Sequence, residues 1–279
     1  MEILSYTFFR HALIGIVIIS IAAAMIGTYI MTRRMVFLSG GITHACFGGL
    51  GLGYMLGISP MVCAAGFAVA GALGVDWLDR RNVRNDSAIA VIWALGMALG
   101  TLFVFLTEGY VPELNSFLFG NVLTITSADL WIFAAFTAVL IGFYSVMYPY
   151  IVAISFDADF ARTRRLPVTF VNTAMTVFTS LAIVLTIKMI GIMLLMSLMT
   201  LPQITAELFT SHYRRMLFAS CALSLAGCVG GLFISYFISV PASASIVLLM
   251  TAFYILGRLT VSLRQRSHRS LSRRGGTGS

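Results

Sequence analysis

The sequence predicts an all-α protein, a polytopic transmembrane helical bundle of about eight or nine spans. Three observations carry that prediction. Of the 279 residues 59% are hydrophobic and only 10% are charged, with a mean hydropathy of +0.96. Globular proteins carry roughly 25% charged residues, so a water-exposed surface is excluded. The apolar runs are long and unbroken, as in IGIVIISIAAAMIGTYIM. About 20 such residues cross a bilayer core of about 30 Å as a helix, whereas barrel strands would alternate apolar and polar positions. Finally, the basic residues are confined to a few short connections.

Taken in order, the apolar segments fall at about 8–31, 36–57, 60–77, 87–107, 128–149, 167–187, 189–210, 216–237 and 242–260. The first is too long for the core of a signal peptide and has no basic cluster before it, so it reads as a retained span. The third is short, and only the turn-like GISP from Gly57 to Pro60 separates it from the second. Eight spans is therefore the alternative to nine.

Nine crossings place Arg33 and Arg34, Arg80, Arg81 and Arg84, Arg162, Arg164 and Arg165, Arg214 and Arg215, and six arginines from Arg258 to Arg274 on one side. Sixteen of the eighteen Lys and Arg residues then share that side, with only Arg10 and Lys188 elsewhere. Lys and Arg stay in cytoplasmic loops, so this side is expected to be cytoplasmic and to hold the C-terminus. The same asymmetry accounts for the net charge of +8 without nucleic acid. Residues 264–279 are rich in Ser, Arg and Gly and read as a disordered basic tail beside anionic headgroups.

The chemistry the chain lacks is as telling. There is no GxxxxGK[ST] loop, and the only lysine, Lys188, lies in an apolar region, so any ATP-driven work needs another subunit. No HExxH cluster is present, and nothing points to an enzyme. Cys46, Cys63, Cys221 and Cys228 form no CxxC or Cys/His group and read as small packing residues.

Several constellations carry a functional and a structural reading together. His44 lies inside the second span; an ionisable group there faces a cavity or a partner, as a transient metal ligand or as a neutral histidine bonded to a neighbouring helix. Gly49, Gly53 and Gly57 repeat every four residues and would let another helix approach closely. In SFDADFARTRRLP, Ser155 to Pro167, Asp157 and Asp159 stand where a short helix begins and Arg162, Arg164 and Arg165 where it ends. This charge order suits the helix dipole, making either a handle for a soluble partner or a solvated connector. Met189, Met193, Met196 and Met199 make a stripe that reads as flexible packing or as soft-metal ligands. Thr200, Gln203 and Glu207 share a face near the basic side, where Pro202 opens the backbone, and read as lining the exit of a pathway or as pairing with neighbouring helices. Glu108 and Glu113 lie on the opposite side and read as carboxylates that meet a donor protein or a cation or, more simply, as ordinary solvated charges.

The motifs RRMVFLSGGITHACFGG, DSAIAVIWALGMALG, ELNSFLFGNVL, FDADFARTRRLP, MIGIMLLMSLMTLPQITAELF and VPASASIVLL occur in that order over about 200 residues. Together they resemble the membrane (permease) subunit of the zinc/manganese/iron-type metal ABC importers. The resemblance implies a bacterial inner-membrane permease domain over 1–263, a homodimer passing a divalent transition metal (zinc, manganese or iron) inward by alternating access. It implies a cytoplasmic ATPase subunit and an extracytoplasmic metal-binding protein as partners, with no tightly bound cofactor. It makes about 155–166 the coupling helix, with Phe156, Asp157, Asp159, Phe160, Ala161, Arg162 and Leu166 facing the ATPase. His44, Gln203 and Glu207 become candidates for the metal pathway. A metal-chelate importer and a stand-alone secondary transporter are the alternatives. Two positions depart from the family pattern: Gly40 stands where an aspartate usually precedes the histidine by one turn, and Arg165 where the coupling helix usually ends in glycine.

Overall fold

The structure, a computed structural model, describes residues 7–81, 83–107 and 125–275, with all their side chains except those of Phe8 and 265–275. Glu108, Glu113 and the LFGN run lie outside the described residues. Among the described residues ten helices follow one another: α1 (Thr7–Thr32), α2 (Val36–Leu56), α3 (Pro60–Asp79), α4 (Asn85–Leu106), α5 (Ser127–Phe156), α6 (Ala158–Thr163), α7 (Val168–Leu198), α8 (Leu201–Glu207), α9 (Tyr213–Ile238) and α10 (Ala242–Gly275). No strand occurs among the described residues.

Among the described residues eight helices are long and apolar enough to cross a membrane. The short third segment is one of them, since the GISP turn separates two full helices. The segment that falls short is the seventh. α7 breaks at Gly191, whose φ of 79° and ψ of 172° are open only to glycine, and the chain turns back as the shorter stretch Ile192–Glu207. Just before the break, Lys188 pairs with Asp129 at the start of α5. At the far end of the stretch, Glu207 lines a cleft with Arg33, Arg34 and Phe156, at the opposite end of the bundle. The stretch thus returns through the protein in two short helices of about 24 Å combined length, at 1.5 Å per residue. It can do so below the usual spanning length because neighbouring helices shield its interrupted backbone.

The connections α1–α2, α3–α4, α5–α7 and α8–α9 accordingly gather at one basic end. Arg33 donates to Asn172 Oδ1 at 2.6 Å, and Arg80 donates to Asp76 Oδ2 at 2.6 Å and Thr173 Oγ1 at 3.1 Å. α10 continues as helix to Gly275, through most of the segment expected to be a disordered tail; no proline interrupts it there.

Within the bundle, α2 lies between α3 and α4 and also meets α7, while α1 packs on α5, α7 and α9. The α2–α4 contact is backbone against backbone. A Cβ on Gly96 would come 2.4 Å from Ala45 Cα, and one on Gly100 would come 2.6 Å from the Phe47 carbonyl oxygen. Gly49 and Gly53 do the same toward α3, where a Cβ would meet Cys63 O at 2.4 Å and Pro60 Cα at 2.5 Å. Gly57 does not belong to that packing face. A Cβ there would meet nothing within 4 Å, and its φ of 66° makes it the left-handed cap of α2, with Ile58 N–H donating to Gly53 O.

Candidate functional site

The segment from Phe156 to Leu166 folds for local reasons. Asp157 caps α6, its carboxylate accepting from the N–H groups of Asp159 (3.1 Å) and Phe160 (2.8 Å); such a cap contributes about 1 kcal/mol. The helix ends in two bonds, Leu166 N–H to Ala161 O at 3.1 Å and Arg165 N–H to Arg162 O at 2.9 Å. These are the paired bonds of a Schellman motif, and its C′ residue must be left-handed. Arg165 holds that position at a φ of 57°. This explains why glycine suits the site and why arginine strains it by about 1 kcal/mol.

The exposed side of α6 is apolar at its centre. Phe160 is 56% exposed, with Arg164 over its ring at 5.3 Å, and Phe156, the last residue of α5, is 62% exposed. Asp159 and Arg162 make an exposed ion pair at 3.1 Å of little energetic weight. Ala161, by contrast, is fully buried and Leu166 half-buried. These two seat the helix on its own chain rather than face a partner. Beside α6 opens a cleft of about 690 Å³ lined by Arg33, Arg34, Ser155, Phe156, Glu207 and Ser211.

The three pathway candidates are not brought together. His44 is half-buried on α2, about 12 Å along the helix from its basic end at 1.5 Å per residue. Its ring stacks on Trp93 of α4, with centroids 4.3 Å apart and planes 5° from parallel, and it faces Phe47 at 6.0 Å. Its Nδ1 is buried without a hydrogen-bond partner among the described residues. One turn earlier, a Cβ on Gly40 would lie 2.9 Å from Met196 Cε. The methionine occupies the space a side chain would need. Gln203 is fully buried in the core, donating through Nε2 to Ala23 O at 3.1 Å and pressed against Gly27. Glu207 is exposed in the basic-end cleft.

The methionine stripe is not one face. Gly191 separates Met189 from the rest; Met189 and Met199 are buried, Met193 is 43% exposed and Met196 half-buried. Among the described residues no three His, Cys, Asp or Glu side chains form a metal-sized group. Residues the sequence reading passed over include Trp93, the stacking partner of His44, and Asn172, which accepts from Arg33 and Tyr29. A tryptophan in mid-span was the available signal for the first; nothing local marks the second.

An all-helical membrane subunit bearing an exposed, capped helix at its basic end is the class this architecture defines. The profile of the ABC 3 transport family matches residues 5–260, and the chain belongs to that family. An uncharacterized membrane protein of Synechocystis sp. is 33% identical, the match covering 91% of each chain. The manganese transport system membrane protein MntC of Listeria monocytogenes is 28% identical over 92% of each. Among solved structures, PsaBC from Streptococcus pneumoniae in complex with Fab superposes with a TM-score of 0.80, at 26% identity over 92% of both chains. The chain is thus the membrane subunit of a metal ABC importer, not its ATP-hydrolysing part.

Proposed function

We propose that two copies of this chain pass a free divalent transition metal, zinc, manganese or iron(II), inward across the bacterial inner membrane by alternating access. A cytoplasmic ATPase seated on α6 drives the cycle, and an extracytoplasmic metal-binding protein supplies it. The observation that carries the reading is α6: a capped helix outside the spans, with Phe160 exposed on it and Phe156 exposed at the end of α5 just before it. A solvated connector has no reason to hold two phenylalanines in water, whereas a docking helix does.

His44 is the pathway ligand in this reading. Its free Nδ1 is a borderline donor suited to these metals, and a single imidazole per copy binds weakly enough to release the ion. Glu207 receives the ion at the basic-end cleft. Gln203 fastens α8 to α1. A chelate cargo would need a wide pathway, and the space beside Gly40 is filled by Met196. A proton- or sodium-coupled carrier would need free acids in its spans; Asp76 and Asp129 are each paired, with Arg80 and Lys188, and Asp79 and Asp86 stand at the basic-end termini of α3 and α4.

Phe160→Asp tests the coupling role. The variant is expected to reach the membrane in normal amount, to lose the ATPase on purification, and to stop metal accumulation. Retention of both would return α6 to a connector. Metal content of cells with and without the protein names the cargo. A cysteine replacing Ser272 is expected to stay unlabelled by impermeant reagent in intact cells; labelling would invert the proposed orientation.

A further inference from the structure

α5 and α9 both pack against α1 but do not close on each other. Between them runs a groove of about 430 Å³ lined by Met25, Ile141, Tyr144, Ser145, Tyr148, Arg214, Leu217 and Phe218. Its walls are apolar. Ile141 and Phe218 are 41% and 61% exposed, so the groove opens sideways, toward the bilayer. Its floor is closed by a polar lock, in which the Tyr144 hydroxyl pairs with the Tyr213 hydroxyl and reaches Met25 O at 3.2 Å.

Two features make it more than a gap. Arg214 stands at the mouth, at the start of α9 on the basic end, and makes no ion pair among the described residues. Its guanidinium lies 5.9 Å from the Phe218 ring centre, at the edge of the groove. Pro149 lies inside α5. It has no N–H, so the Ser145 carbonyl loses its helical donor, and Ser145 lines the groove one turn below Tyr148.

We infer that this groove is a binding site for an anionic phospholipid of the leaflet at the basic end, the acyl chain between α5 and α9 and the phosphate on Arg214. The charge fits, because an unpaired guanidinium at a membrane surface draws an anionic headgroup. The polarity gradient fits as well: the cation at the mouth, Ser145 with its released carbonyl along the wall at the glycerol level, and the apolar side chains of Ile141, Leu217 and Phe218 for the hydrocarbon. The lipid completes the packing between two helices that make no extensive contact of their own.

Native mass spectrometry of the intact chain, exchanged into nanodiscs of phosphatidylcholine with and without phosphatidylglycerol, tests this. The wild type is expected to retain phosphatidylglycerol over phosphatidylcholine, and Arg214→Gln to reduce that preference about fivefold. Arg215→Gln, which leaves the groove lining intact, is expected to keep it. Ser145→Trp, which fills the groove, is expected to abolish retention of either lipid while Gly142→Trp on the same helix does not. Equal retention of both lipids by the wild type would overturn the assignment, as would equal loss in the Arg214 and Arg215 variants. A disulfide between copies carrying Ser145→Cys would place a second copy in the groove and likewise sink it.

Discussion

The α2–α4 interface and the α5–α9 groove are opposite solutions to one problem. Lipid tails are as apolar as leucine, so membrane helices associate through close packing rather than through escape from water. Where Gly96 and Gly100 face Ala45 and Phe47, the backbones come into contact. Where α5 and α9 present Ile141, Tyr148, Leu217 and Phe218, side chains hold the helices apart and a groove stays open. Residue size at the facing positions, rather than hydrophobicity, separates a sealed contact from an accessible one.

The largest effect is expected from breaking the sealed side. Gly96→Leu would drive a side chain into the Ala45 backbone, and overpacking against backbone costs about 3 kcal/mol or more. Little folded protein should survive detergent extraction and size-exclusion chromatography. Gly142→Leu on the open side, where a Cβ meets nothing within 4 Å, should behave as wild type. Similar losses in both would mean that residue size is not what distinguishes the two interfaces.

His44 stands at the rim of the sealed interface, so its role can be separated from its packing. His44→Phe keeps an aromatic ring for Trp93 to stack on but removes both nitrogens. Metal uptake should fall on the order of tenfold or more, the usual range for disturbing a metal site, at unchanged protein level. Normal uptake would make His44 a packing residue. Gly40→Asp would bring a carboxylate beside it only by displacing Met196, whose Cε is the atom in the way. Because that end of the side chain is flexible, the variant should fold, hold metal more tightly and release it more slowly; unchanged affinity would separate the two positions.

The smallest effect concerns α6. Arg165→Gly should relieve the left-handed strain at φ 57° and raise stability by about 0.5 kcal/mol at most, after the added chain entropy of glycine. A small rise in Tm would show it, and a fall would mean that the arginine side chain holds the turn by contacts of its own. Asp157→Ala, removing the cap, should lower stability by about 1 kcal/mol.

The short helix α6 was legible in the sequence because its signals are local: an aspartate before it, arginines after it, a proline opening the next span. That Ala161 turns inward while Phe160 turns outward was not legible, since both are simply apolar residues in a six-residue helix. The pathway candidates fared less evenly for the same reason. Thr200, Gln203 and Glu207 share a helical spacing, yet Gln203 is in the core and Glu207 in a cleft. Spacing places residues on a face without saying what the face meets.

By itself the sequence determined the membrane class, the long spans, the gathering of basic connections at one end and the existence of α6. These rest on sums over neighbouring residues: run length against bilayer thickness, charge, and caps. The tertiary structure alone decided that Gly57 ends a helix while Gly53 packs one, that the seventh segment returns in two pieces around Gly191, and that His44 lies against Trp93. Each of these depends on which helix stands opposite. In a bundle held by shape rather than by burial from water, that choice is made by contacts between residues far apart in the chain.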